Sequence, residues 1–220
     1  MNSLYFIRDV ILHPLLEGTL VTAKLSVLSI SIGYILGILI AIGRTYGNKF
    51  VRPLCEGYAF FFRGVPLLVQ LLIIFYGLPS MGIFFSPFAS AVIGFSLCTA
   101  AYHSEYIRGG IISIKSGQMM AAKALGMRRF TAILYVIMPQ ALRKSLPACS
   151  NEIISLVKYS SLAFMVTCIE LTATAKIIGA RYFRYTEIFL ITGVIYLILT
   201  FVIDKTLRMI EKKLKIPGFE

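Results

Sequence analysis

Apolar residues run in long blocks along this chain, and polar residues gather between the blocks. A membrane helix needs about 20 largely apolar residues. The first block, 18–42, "GTLVTAKLSVLSISIGYILGILIAI", meets that length. Lys24 lies one or two turns in, where its long side chain can snorkel to the interface. Ser26, Ser29, Ser31, Gly33 and Gly37 offer a small-residue face for another helix. From Gly64 to Ser104 there is no Lys, Arg, Asp or Glu, a run too long for one span. Gly77, Pro79, Gly82 and Pro87 divide it, predicting spans over 58–76 and 87–107. Pro66, in Arg63-Gly64-Val65-Pro66, should break or kink the earlier of these near its start. A weaker span, 146–168, carries Glu152 and Lys158, and "IELTATAKIIGARYFRY" reads as a polar connection after it. The last span, 187–203, is followed by "KTLRMIEKKLK". The pattern predicts an all-α, polytopic membrane protein with five spans. An amphipathic segment, 1–17, stopped by Pro14, precedes a membrane domain over 18–214.

Composition supports this. Apolar residues make up 58% of the chain and charged residues 15%, against about 45–50% and about 25% in soluble domains. The net charge of +12 follows the loops. Arg44, Lys49 and Arg52 fall in the first loop, and none falls between spans two and three. Seven Lys and Arg with no acid lie between Arg108 and Pro147, and Lys205, Arg208, Lys212, Lys213 and Lys215 lie in the tail. The positive-inside rule then places the N-terminus outside and the C-terminus in the cytoplasm. Lys176, Arg181 and Arg184 depart from the rule, partly offset by Glu170 and Glu187. Topology and attraction to anionic lipid account for the charge without nucleic acid. Cys55, Cys98, Cys149 and Cys168 form no C-x-x-C pair and read as small hydrophobes. "MNSLYFIRDVILHP" carries Asp9 and no small-residue cleavage site, so it does not read as a removable signal.

"KSGQMMAAKALGMRRF", Lys115 to Phe130, differs from its surroundings: it is alanine-rich, basic and acid-free. Its residues predict a helix over 117–125, capped by Ser116 and ended by Gly126 in the left-handed conformation. At about 13.5 Å it is too short to be stable alone and must rest on something. Docking on another protein and lying on lipid phosphates through Lys123, Arg128 and Arg129 both satisfy that need. No nucleotide site accompanies it: "GRTYGNKF" lacks the G-K-[ST] ending and the preceding strand of a P-loop. His103 and Ser104 are adjacent and point about 100° apart on a helix, which is poor geometry for a nucleophile and its base.

The string G-Q-x-x-A-A-x-A-L-G-M followed by "VIMPQALR" resembles the EAA loop of bacterial ABC importer permeases, nearest to the polar amino acid branch. "FFRGVPLLVQLLIIFYGLP" is similar to that branch's R-G-T-P-L-L-V-Q segment, and "NEIISLVKYSSL" to its N-x-x-I-x-L-x-K-[DE]-[ST]-S-L segment. The resemblance covers about 17–214, in order and spacing. It implies a type I importer permease fold, five membrane helices and a cytoplasmic coupling helix that docks on the ATPase through Gln118, Met120, Ala121, Ala122, Ala124, Leu125 and Gly126. It further implies a cytoplasmic ATPase dimer that binds ATP and Mg, none being bound by this chain. A second permease chain, identical or not, an extracytoplasmic substrate-binding protein and a polar amino acid substrate complete the set. The membrane is then the bacterial inner membrane. Three positions depart from the pattern: Met120 stands where the loop's acid is expected, Tyr159 where an acid follows the lysine, and Val65 for Thr. Met120 replaces an ionic contact with an apolar one.

An ionisable residue at membrane depth is functional by default, which singles out Glu152. Asn151, Glu152, Ser155 and Tyr159 fall near one helical stripe able to meet an amino acid's ammonium and side chain. Gln70, alone in an apolar run, is a further candidate for the cavity wall. An ion pair between Glu152 and Lys158 is the structural alternative, and Arg63 reads as support for the fold or the cytoplasmic gate. The competing function is a self-contained secondary amino acid transporter, which usually has more spans and no such loop.

Overall fold

The computed structural model describes residues 10–214, and no strand occurs among them. Residues 1–9 of the expected amphipathic segment, and Lys215 of the tail, lie outside the described residues. Helix α1, His13–Tyr46, is longer than the expected span at both ends. A wide helical turn over 10–12 runs into it, making one helix Val10–Tyr46, so Pro14, near its start, does not stop the lead-in. At about 1.5 Å per residue, 34 residues make α1 about 51 Å long.

Helix α2, Val51–Gly64, and α3, Leu67–Leu72, are two halves of one broken element. A wide turn over Ile73–Gly77 and a tight one over Leu78–Met81 extend α3, and the axis bends by 103° at the break. Asn48 Oδ1 accepts the N–H groups of Phe50 and Val51 at 3.0 and 2.9 Å, capping the start of α2. Helix α4, Pro87–Ile112, opens on Ser86, whose Oγ accepts from Ala89 N at 3.2 Å. Two short helices follow, α5 over Ser116–Ala124 and α6 over Arg129–Ala132. A wide turn, Ile133–Ile137, leads into α7, Met138–Tyr159, which carries Pro147 in its interior and ends in the tight turn Ser160–Val166. Last come α8, Leu171–Tyr182, and α9, Tyr185–Leu214.

Helices Val10–Tyr46 and Tyr185–Leu214 are each long and apolar enough to cross a membrane; the bent pairs Val51–Gly64 with Leu67–Met81 and Arg129–Val166 with Leu171–Tyr182 meet the same measure jointly. Helix α4 is long enough, about 39 Å, but richer in small and polar residues. Protein covers its faces instead of lipid, since α1, α3 and α7 pack on it. Close approach is built into the sequence. A Cβ on Gly33 would come within 2.9 Å of Thr99, one on Gly37 within 2.7 Å of His103, and one on Gly110 within 2.5 Å of the Ala141 carbonyl. In lipid, small residues of this kind bring backbones together where no water is expelled to drive association. Of the small face expected on α1, Ser26, Ser29, Gly33 and Gly37 are buried and Ser31 is exposed.

The expected polar connection is largely helix α8. Leu171, Ala175 and Ile178 form a buried stripe, joined by Ile11, Leu15 and Ile188. Glu170 caps it, accepting from Thr172 N and Ala173 N at 2.9 Å each. The same carboxylate, fully buried, accepts from Thr22 Oγ at 3.2 Å and from the Tyr196 hydroxyl at 3.0 Å. The acid set against the loop's basic residues in the charge count thus ties α8 to α1 and α9. Cys98, Cys149 and Cys168 are buried free thiols and Cys55 is half-buried.

Candidate functional site

The acid-free stretch folds as the short helix α5, with two differences from the sequence expectation. Lys115, not Ser116, occupies the cap position, and no side chain caps the helix. The end behaves as expected: Gly126 has φ +81°. Its N–H donates to the Lys123 carbonyl at 2.9 Å, and that of Met127 to Ala122 at 3.1 Å. This paired bonding satisfies carbonyls that a helix end would leave open. Ala122 is buried on the side where α5 meets α6 and the turn Ile133–Ile137, while Met119 packs on a cluster that includes Ile133, Ile137 and Met138. Of the expected docking set, Ala122 thus helps seat the helix on its own chain. Gln118, Met120, Ala121, Ala124, Leu125 and Gly126 are exposed, Leu125 by 84%. Helix α7 braces both ends of the α4–α5 junction, with Gln140 Nε2 donating to Gln118 Oε1 at 3.4 Å and Lys144 Nζ to the Ser113 carbonyl at 3.2 Å.

Gln70 is buried at the α2–α3 break. Its Nε2 donates to the Phe62 and Val65 carbonyls at 2.9 and 2.8 Å. In an unbroken helix the Phe62 carbonyl would accept from residue 66, but Pro66 has no N–H. The Gln70 amide supplies the missing donor. Its Oε1 is buried without a hydrogen-bond partner among the described residues.

On α7, Glu152 is buried, with Tyr106 of α4 close by. Asn151 and Tyr159 are exposed and Ser155 half-buried, on an accessible strip beside it. Among the described residues Glu152 and Lys158 form no ion pair, and Lys158 is exposed. His103 Nδ1 bonds the Thr99 carbonyl at 3.0 Å and Ser104 Oγ the Ala101 carbonyl at 2.7 Å, so the two make no nucleophile–base pair.

One group was passed over. The charge-free run ends at Ser104 and the basic stretch begins at Arg108, with Glu105 between them. Its Oε2 lies 2.9 Å from Arg44 Nη2 and 2.7 Å from Arg63 Nη1, and its Oε1 pairs with Arg108. Arg44 Nη1 also donates to Ser104 Oγ at 3.3 Å, and the Arg63 guanidinium lies 5.6 Å from the Tyr102 ring centroid. Arg63 thus braces the end of α2, in line with a supporting role. The spacing Glu105, Arg108 on a helix was the available signal; the Arg44 and Arg63 contacts needed the fold.

Residues 33–216 match the family described as binding-protein-dependent transport system inner membrane component. The chain belongs to this family. It is the permease subunit of an ABC amino acid importer, with a role in transport. The permease is 37% identical to the nopaline transport system permease NocM of Agrobacterium fabrum, over 90% of this chain and 86% of the relative. It is 38% identical to the probable amino-acid ABC transporter permease YckA of Bacillus subtilis, over 90% and 88%. A solved amino acid ABC transporter with histidines superposes with TM-score 0.86 at 34% identity, covering 97% of this chain and 99% of that one. The inward-facing MetNI methionine transporter, at TM-score 0.72 and 18% identity over 98% and 100%, shares the fold. The membrane-spanning, all-helical type I importer fold expected from the sequence is the one found.

Proposed function

We propose that this permease forms half of a translocation path for a polar amino acid, paired with a second permease chain. Helix α5 docks it on a cytoplasmic ATPase dimer that binds ATP and Mg, and an extracytoplasmic binding protein delivers substrate. The N-terminus lies outside and the C-terminus in the cytoplasm, so α5 and the basic loops face the ATPase. The observation that carries this reading is α5 itself. A helix too short to stand alone is anchored by Ala122 and the Gly126 turn, yet leaves Met120, Ala121, Ala124 and Leu125 exposed. Met120 gives this surface an apolar contact in place of a charge.

Glu152 is the proposed group for a substrate ammonium, with Asn151, Ser155 and Tyr159 beside it. Gln70 belongs to the path through the α2–α3 break that it holds closed. The tagged permease, extracted in mild detergent, is expected to bring down an ATPase and, once the importer is reconstituted in proteoliposomes, to take up amino acid only with ATP. Uptake by the permease alone, driven by an ion gradient, would restore the secondary-transporter reading. Glu152→Ala is expected to lower uptake and leave ATPase recovery intact; undiminished uptake would remove Glu152 from the path.

A further inference from the structure

We propose that Glu105 is a positioning residue for transport, the joint through which movement of α5 reaches the broken α2–α3 pair. The proposal rests on α5 being the ATPase-docking helix. Glu105 is the sole acid between Glu56 and Glu152 in the sequence, and it meets arginines from three helices. Arg44 lies in the last turn of α1 and Arg63 in the last turn of α2; Arg108 is one turn further along α4. One carboxylate holds three guanidinium groups at side-chain distance. Without its charge the three cations repel one another, and among the described residues no other acid pairs with them.

The placement makes the cluster a transmission point. From Glu105 the helix runs unbroken to Ile112, about 10 Å at 1.5 Å per residue, and α5 begins at Ser116. The junction between them is held by Lys144 on the Ser113 carbonyl and Gln140 on Gln118. A push on α5 therefore moves the end of α4 as a rigid lever. On the other side of the cluster, Arg63 stands next to Gly64 at the break, across which Gln70 reaches to the Phe62 and Val65 carbonyls. The Tyr58 hydroxyl, bonded to the Leu97 carbonyl at 2.7 Å, provides the pivot on which α2 swings against α4. Glu105 then sets how far a shift in α5 turns the α2 end and, with it, α3.

The test uses the assembled importer in proteoliposomes, both permease chains with the ATPase, and the binding protein supplied on its delivery side. Uptake is read with labelled glutamine, histidine and arginine, and ATP hydrolysis in the same preparation. Glu105→Gln keeps the shape and removes the charge. It is expected to co-purify with the ATPase, to keep hydrolysing ATP, and to move roughly tenfold less amino acid per ATP, within the usual range of coupling between sites. Glu105→Asp, which keeps the charge, is expected to retain most of the wild-type ratio. An unchanged ratio in Glu105→Gln overturns the proposal, as do uptake and hydrolysis that fall in proportion, since a merely structural loss does that. If Glu105→Gln fails to assemble, Arg63→Gln carries the same measurement, with a lower ratio expected and an unchanged one decisive against the joint. Failure of the underlying reading shows separately, as a wild-type permease that recovers no ATPase, and overturns both.

Discussion

Replacing Gly126 by valine tests whether the end of α5 is a defined turn. The residue sits at φ +81°, and a Cβ built there meets nothing within 4 Å. Any cost therefore comes from the backbone and not from collision. An L-residue held in the left-handed region loses about 1–2 kcal/mol, and a β-branched one is a genuine outlier there. The chain can escape only by giving up the bonds from Gly126 N to Lys123 and from Met127 N to Ala122, worth about 0.5–1.5 kcal/mol each. Either route costs about 2 kcal/mol, which is roughly a 30-fold loss in the seated population at about 1.4 kcal/mol per factor of ten. The assay is amino acid uptake against ATP hydrolysis in proteoliposomes. Gly126→Val should hydrolyse ATP with little uptake, and Gly126→Asn, which tolerates this conformation, should stay close to wild type. Full coupling in the valine variant would refute the reasoning. So would equal damage in both variants, because the side chain, and not the turn, would then be at fault.

Gln70→Leu should leave the Phe62 carbonyl without its substitute donor and cost about 1–3 kcal/mol, seen as a lowered thermal midpoint in detergent; an unchanged midpoint would mean that the break needs no staple. Glu170→Ala uncaps α8 and removes the acceptor shared by Thr22 and Tyr196, so destabilisation of at least about 1–2 kcal/mol is expected by the same measurement, whereas an unaltered protein would show that α8 is held by its apolar stripe alone.

Much of the architecture could be read from residues that act locally. Pro66 announced a break because proline lacks the donor that Phe62 needs, and Gly126 a helix end because its backbone conformation excludes most side chains. The apolar blocks marked α1 and α9 but not their full lengths, since polar ends beyond the lipid continue a helix freely. Helix α8 was hidden because its cap is Glu170, a residue that also reads as loop charge, and because its stripe is only Leu171, Ala175 and Ile178. The inward turn of Ala122 could not be seen in a helix whose alanines look alike until α6 and the turn Ile133–Ile137 were placed beside it. Glu105 escaped notice for a related reason: two of its three partners lie 61 and 42 positions away, and a lone acid between an apolar run and a basic one looks like a boundary.

The most direct measurement is chemical labelling at position 120. With the half-buried Cys55 replaced by serine, a cysteine at Met120 occupies an exposed site on α5, 64% accessible in the free chain. It should react in intact cells only with a membrane-permeant maleimide, and should cross-link to the ATPase in the assembled importer. Reaction with an impermeant maleimide added outside would place α5 on the wrong side of the membrane and contradict the docking of this permease on its ATPase.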